Sequence, residues 1–346
     1  MSIYRFIWRE IHHAGPPVVP VFLPFAGCRT RCVYCAQPEQ TGRGPLAGED
    51  PAPALARGEA MLRERKTRGL PPAEAAFYGG TFTAQHPPFL ETCLDAASAW
   101  LHEGLITRWR CSTRPDALDP ALLSRMRALG CATVEIGVQS FDEAVLRASH
   151  RAYDGETAAG AMRLVRARGM DAGAQLLPGL PGSTPAIFLE DVRRALALGC
   201  ALLRFYPCLV LRGTGLASLY GRGLYRPWEL PATIDALGQG WRMAMDAGVP
   251  VIRMGVASEP SLLESLIAGP WDPALGTRVR SRALARALRD CLPAGERAVS
   301  AIIPRAAQGY LWGQGRETAP RLAELGVTPA TVTWGEGPEV VITTAG

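Results

Sequence analysis

The chain has 346 residues, a net charge of +5 and 48% apolar residues, enough for one large domain with a smaller appendage and a substantial buried core. Its basic residues are all arginine except Lys66, so the modest positive charge reads as a composition bias rather than a polyanion-binding face. The longest apolar run, near 195–203, is too short to cross a bilayer, no signal segment is evident, and nine cysteines without a disulfide framework suit a reducing compartment. The expectation is a cytoplasmic protein with no membrane partner.

Short apolar runs at 18–25, 75–80, 109–113, 133–140, 173–178 and 202–210 read as strands, rich in β-branched or aromatic residues and mostly bounded by Gly or Pro. Amphipathic segments at 52–66, 87–102, 120–129, 142–149, 155–169 and 185–199 alternate with them. Asp119-Pro120 is a typical helix start, and Gly130, Gly169 and Gly199 close three helices. Such alternation implies a parallel sheet with helices outside, and six units suit an α/β fold of the partial (β/α)6 TIM type. A Gly/Tyr-rich loop at 212–226, a helix near 229–247 and a strand-like run at 250–256 complete the barrel, predicted over 1–256. From 257 the character changes: a helical stretch before Cys291, then strand-like runs at 298–303 and 340–342, predict a small α+β extension over 257–346. Within it, Arg278, Arg280, Arg282 and Arg286 fall near one helical face, for which a solvated surface is the default reading and RNA contact the alternative. The segment 309–316 lacks the G-x-x-G spacing of an RNA-clamping loop, so a plain capping subdomain is expected there.

Chemistry concentrates in Gly27-Cys28-Arg29-Thr30-Arg31-Cys32-Val33-Tyr34-Cys35, directly after the first predicted strand. Three thiolates on one loop can hold three irons of a cubane cluster and leave the fourth iron open, whereas ordinary ferredoxin clusters are closed by four cysteines. A zinc site would need a second pair or a Cys/His partner at similar spacing, and His12, His13, His86, His102 and His150 do not supply one. The cysteines at 93, 111, 131, 200, 208 and 291 lie among apolar neighbours and read as small core hydrophobes, with Cys111 and Cys208 on predicted strands.

The C-x3-C-x2-C spacing with an aromatic before the last cysteine resembles the signature of the radical SAM superfamily. The resemblance covers about 18–256 and implies a [4Fe-4S] cluster on Cys28, Cys32 and Cys35. The open iron would chelate S-adenosyl-L-methionine, and reductive cleavage would yield a 5′-deoxyadenosyl radical. It also assigns the predicted cofactor contacts, nearly all at strand C-termini, where parallel barrels work. Tyr34 would pack near adenine, or else serve as core under the loop. Gly79-Gly80-Thr81 resembles the family's "GGE" element, whose backbone meets the methionyl ammonium; glycines permit that approach. Ser112, in Cys111-Ser112-Thr113-Arg114-Pro115-Asp116, stands where oxygen-independent coproporphyrinogen oxidase carries a glutamate, so porphyrinogen chemistry is not favoured. Gln139, in Val134-Glu135-Ile136-Gly137-Val138-Gln139, would bond ribose hydroxyls, as an amide can. Arg151 would hold the cofactor carboxylate, for which its planar fork is suited, and Gln175 replaces a ribose-binding aspartate.

Within the superfamily the chain resembles the Elongator-catalytic-subunit-like group, through Ser112–Asp116, Val134–Ser140 and Arg204-Phe205-Tyr206-Pro207. The tail after 257 is too short for that subunit's acetyltransferase domain and shows no acetyl-CoA pyrophosphate loop. The resemblance implies hydrogen abstraction from a substrate, with an RNA (tRNA) nucleoside favoured over a small metabolite, and a reductant such as flavodoxin or ferredoxin. A non-catalytic haem or iron–sulfur carrier and a redox sensor are the readings of another class.

Overall fold

The computed structural model describes residues 1–28, 30–41 and 50–345. Thirteen strands run in chain order: β1 (Ser2–Ile7), β2 (Val18–Phe22), β3 (Ala73–Tyr78), β4 (Ile106–Thr113), β5 (Cys131–Gln139), β6 (Asp171–Leu176), β7 (Leu202–Phe205), β8 (Val210–Leu211), β9 (Val251–Met254), β10 (Leu266–Ala268), β11 (Ala298–Pro304), β12 (Val332–Gly335) and β13 (Glu339–Thr344). Seven of them form one sheet in the order β2-β3-β4-β5-β6-β7-β9, parallel at every step. The six predicted units are present, and the run at 250–256 joins them as a seventh strand.

The sheet is curled, and the side chains prove it. β3 and β7 stand four strands apart, about 19 Å if the sheet were flat. Yet the Arg204 guanidinium donates to the Tyr78 hydroxyl and lies 2.7 Å from the Glu135 carboxylate. Such contacts require the strands to bend round a common axis. Twofold alternation decides what enters that lumen. Glu74 and Tyr78, then Arg108, Arg110 and Ser112, face inward, while Phe77 and Trp109 face outward. There Phe77 packs at 5.6 Å from Trp109, and Phe82 packs on both.

The helices fall where the pattern put them, including Pro87–His102, Pro120–Ala128, Gly155–Ala167 and Pro185–Ala197. Asp119 caps the second of these by accepting from the Leu122 amide at 2.7 Å. Among the described residues no helix is long and apolar enough to cross a membrane.

Three features differ from the sequence reading. The strand expected over 202–210 splits into β7 and β8, because Pro207 has no amide for the ladder and Tyr206 and Cys208 instead donate to Leu176 and Pro178 carbonyls. A helix, Gly215–Gly221, forms inside the segment read as a loop. The second sheet, β1-β13-β11-β12, contains the unforeseen β1, so residues from the start of the chain complete the sheet of the C-terminal extension. Trp8 then locks the two parts: its ring lies 5.6 Å from Trp241 on the helix Leu230–Asp246, and its indole donates to the Tyr310 hydroxyl at 2.8 Å. Tyr310 is thus core. The arginines of helix Leu275–Cys291 are each answered by a carboxylate: Arg278 by Asp272 and Glu317, Arg280 by Glu10, Arg282 by Asp235 and Arg286 by Asp290. Their face is ion-paired, which favours the solvated reading over RNA contact.

The lumen is charged. Arg110, fully buried, bridges Glu74 at 2.5 Å and Glu135 at 3.3 Å. Removing one partner of a buried pair leaves an uncompensated charge. Glu135→Ala is therefore expected to destabilise the chain by about 3–5 kcal/mol, read as a lower urea midpoint, while Glu135→Gln, which keeps a hydrogen-bonding oxygen, loses less.

Candidate functional site

The chain leaves β2 at Phe22 and turns tightly, with Phe25 and Gly27 at positive φ (58° and 72°). Cys28 follows, its amide donating to the Phe25 carbonyl at 3.0 Å. Arg29 lies outside the described residues; Cys32 and Cys35 end the loop, joined by a 3.1 Å backbone bond. All three cysteines are free and partly exposed. The turn after β3 supports this loop from behind. A Cβ on Gly80 would stand 2.0 Å from the Ala26 carbonyl, and one on Gly27 2.4 Å from the Thr81 carbonyl. Thr81 donates its amide to Ala26 at 2.7 Å, and its hydroxyl lies 3.3 Å from the Cys28 sulfur. The Gln37 carbonyl oxygen accepts from both Phe25 and Gly80 amides, at 2.5 and 3.0 Å. Glycine is needed here for both positive φ and contact distance.

Opposite the cysteines, Arg151 is nearly buried (7% exposed). Its Nη1 donates to the Cys32 sulfur at 3.0 Å and the Tyr34 hydroxyl at 3.4 Å, its Nη2 to the Gly137 carbonyl at 2.6 Å, and its Nε to the Tyr153 hydroxyl at 2.8 Å. Tyr34 lies in a buried group with Val145, Leu180 and Cys208 while one side lines the cavity. Gln139 ends β5 at φ 65°, an uncommon place for a residue with a side chain, and its buried carbonyl oxygen has no hydrogen-bond partner. Gln175 donates to Ser112 and to Glu135, each at 3.1 Å. All eleven predicted site residues except Thr81 line one cavity of about 640 Å3 at the strand C-termini, and Thr81 stands directly behind Cys28.

Three supports escaped the sequence reading. Arg114 is forked by Asp116 (2.9 and 2.8 Å) and reaches Thr30 of the cysteine loop at 3.1 Å. Asp191, on the helix Pro185–Ala197, accepts from the Ser140 hydroxyl at 2.8 Å and the Phe141 amide at 2.7 Å, holding the turn that follows Gln139. Gln37 joins the two loops. Signals existed for Arg114 and Asp116, two apart in a polar motif, but nothing in sequence links positions 140 and 191.

The donor set suits an iron–sulfur cubane. A cubane places each cysteine on a separate iron, which three cysteines spaced along one loop can do. Burial and the neighbouring cysteines push the Cys35 thiol up to about 12, so three anionic sulfurs here call for a cationic centre. The unpaired Gln139 oxygen offers a ready acceptor for a hydroxyl. The residues therefore fit both groups that the cysteine motif implies.

Comparison with known proteins points the same way. A family model described as the Radical SAM superfamily matches residues 22–195, and a Radical_SAM C-terminal domain matches 200–284. A tRNA uridine(34) acetyltransferase of Methanocaldococcus infernus is 26% identical over 260 residues, covering 65% of this chain and 49% of that protein. Elongator complex protein 3 of Mus musculus is 34% identical over 161 residues, covering 42% of this chain and 29% of that one. The structure of archaeal Elp3 from M. infernus with an N-terminal deletion superposes with a TM-score of 0.60 at 22% identity, covering 79% of this chain and 63% of that chain, which is a likeness of fold. The chain spans about half the length of the archaeal relatives it matches.

Two outcomes follow. Gly80→Ala must move the Ala26 carbonyl at a positive φ, a strain of roughly 1–3 kcal/mol, and is expected to lower iron content after anaerobic reconstitution severalfold. Burial lifts the Asp191 carboxyl from 3.8 to about 7, so the folded chain holds that proton more tightly than the unfolded one. Its contribution is complete below about pH 4 and is lost as pH rises to about 7. Unfolding midpoints at several pH values should show that slope, up to roughly 4 kcal/mol, and Asp191→Asn should flatten it.

Proposed function

The chain belongs to the radical SAM superfamily, and from that premise we propose that it binds a [4Fe-4S] cluster through Cys28, Cys32 and Cys35 and reductively cleaves S-adenosyl-L-methionine. The observation that carries this reading is a three-cysteine loop at the C-terminal end of β2, facing a cavity of about 640 Å3. When bound, the cluster and cofactor supply an electron-driven split of the sulfonium and a 5′-deoxyadenosyl radical that abstracts hydrogen from the substrate. What the chain contributes is placement and exclusion of water. Gly79 and Gly80 would let backbone approach the cofactor's ammonium, and Thr81 backs Cys28. Gln139, Ser112 and Gln175 would hold the cofactor's polar groups, and Tyr34 would pack near adenine. In Arg151, the Nη1 group now on Cys32 and Tyr34 is the donor that can turn to a carboxylate, while Gly137 and Tyr153 keep the guanidinium in place.

The division into a core barrel over 1–256 and an extension over 257–346 belongs to the same proposal, with β1 contributing to the extension's sheet. For the substrate, the relatives named for tRNA uridine favour an RNA (tRNA) nucleoside, and a flavodoxin or ferredoxin suits the role of electron donor. Anaerobic reconstitution with iron and sulfide, followed by S-adenosyl-L-methionine and dithionite, is expected to yield 5′-deoxyadenosine. Cys28→Ala, Cys32→Ala and Cys35→Ala should each abolish the product and lower bound iron. Gln139→Ala should weaken cofactor affinity about tenfold, the worth of one hydrogen bond to a buried acceptor. An intact cluster that forms no product, with or without bulk tRNA, would overturn the reading.

A further inference from the structure

Below the residues assigned to the cofactor, the lumen holds charges that this assignment does not use. They run in a file, Arg108–Glu74–Arg110–Glu135–Arg204, with successive contacts of 3.3, 2.5, 3.3 and 2.7 Å. Three guanidinium groups share two carboxylates, so an arginine stands at each end. The lower end, Arg108, has a half-buried side chain, and His13 lies beside the file at 2.9 Å from Arg110. The upper end, Arg204, enters the cavity with its side chain 14% exposed, and its Nη1 donates to the Tyr206 hydroxyl at 2.8 Å.

Arg204 has a second cation beside it. In the ladder between β7 and β9, Arg204 is the register partner of Arg253, so both lie on the concave face. Arg253 is exposed, donates to the Gly255 carbonyl at 3.2 Å, and among the described residues has no carboxylate partner. The cavity wall as a whole carries six arginines and one carboxylate, Glu259. Arg114 pairs with Asp116, Arg110 and Arg204 share Glu135 with Glu74 also on Arg110, Arg151 donates to the Cys32 sulfur, and Arg31 stacks on the Phe25 ring at 3.3 Å. The file of three arginines and two glutamates keeps one net positive charge, with Arg204 at its cavity end, and Arg253 adds a second beside it.

Their position gives that surplus a purpose. β2 and β9 are the two edges of the open sheet, and beyond their C-terminal ends the Ser261 hydroxyl donates to the Glu39 carbonyl at 2.9 Å, so the gap between the edges lies below that contact. One lip presents Arg253; the other presents Val18, Pro20 and Phe22 of β2 to the same cavity. We propose that this gap takes a substrate bearing a carboxylate or phosphate, seated on Arg204 and Arg253, with an apolar or planar portion against β2. The proposal deepens the functional reading above and rests on it for where the substrate meets the cofactor.

Binding can be measured without iron or cofactor, which separates the two claims. Ligand-observed NMR on the full chain would use phenyl phosphate and benzoate as anionic probes and benzamide as the neutral one of like shape. Both anions are expected to bind about tenfold more tightly than benzamide, the tighter of the two identifying the group, and added salt should weaken the anions alone. Arg253→Gln, on an exposed edge, should erase the preference without moving the melting temperature, and Phe22→Ala should weaken all three probes. Equal affinity for benzoate, phenyl phosphate and benzamide, or an anion preference untouched by Arg253→Gln, overturns the proposal. Should 5′-deoxyadenosine never form while anion binding persists, the functional reading fails and this site stands.

Discussion

Two glutamates hold three arginines inside the barrel, and much of the architecture depends on that arrangement. A closed parallel barrel usually fills its centre with layers of branched apolar side chains. Here the lumen is built from long charged ones, braced end to end by Glu74 and Glu135. Extended ion-paired side chains leave open volume above them where packed leucines would not. The same pairs transmit order to the rim. Glu135 accepts from the Tyr78 hydroxyl at 2.9 Å, Tyr78 is the last residue of β3, and the Gly79-Gly80 turn begins there. That turn presses on Ala26 and Gly27, and the cysteines follow directly. A charge pair in the lumen thus fixes a loop at the mouth. Such burial is rarely a gain in stability by itself; its return is shape.

The opposite side of the rim is held from outside. Gln139 occupies a left-handed conformation that disfavours a side chain, and the ladder between β5 and β6 is irregular there. Asp191 reaches in from an outer helix to accept from Ser140 and Phe141, while a Cβ on Gly155 would meet the Phe141 carbonyl at 2.2 Å. Strain at Gln139 is offset by contacts that never touch the cavity. Both halves of the rim follow this logic: a glycine or a strained residue sits in a left-handed conformation, and an acceptor (half-buried Gln37 on one side, buried Asp191 on the other) holds it.

How far the sequence discloses all this depends on distance along the chain. Alternating strands and helices, the helix cap at Asp119 and the cysteine loop are local patterns, and each was legible. Arg108 and Arg110 were not, because charged residues alternating with Trp109 and Cys111 ordinarily mark the solvent side of a strand; only the curl of the sheet turns them inward. At the arginines of Leu275–Cys291 the default reading of a solvated face agrees with the structure, but their partners were not legible. The arginines look like a free basic stripe, yet their carboxylates come from Glu10, Asp235, Asp272, Asp290 and Glu317, mostly far away in sequence. β1 was missed for the same reason. Six extended residues have no signature apart from a partner, and its partner β13 is remote.

That pairing has a consequence for biosynthesis. Phe6 is matched with Val340 and Ser2 with Thr344, so β1 waits for a segment translated hundreds of residues later. The barrel can assemble meanwhile from neighbours in sequence, but the second sheet has high contact order and forms slowly. Until then an unpaired edge carrying Ile3 and Ile7 remains open to other chains. Nascent polypeptide is therefore exposed to misassociation at β1, and Trp8 can settle between Trp241 and Tyr310 only once both have been translated.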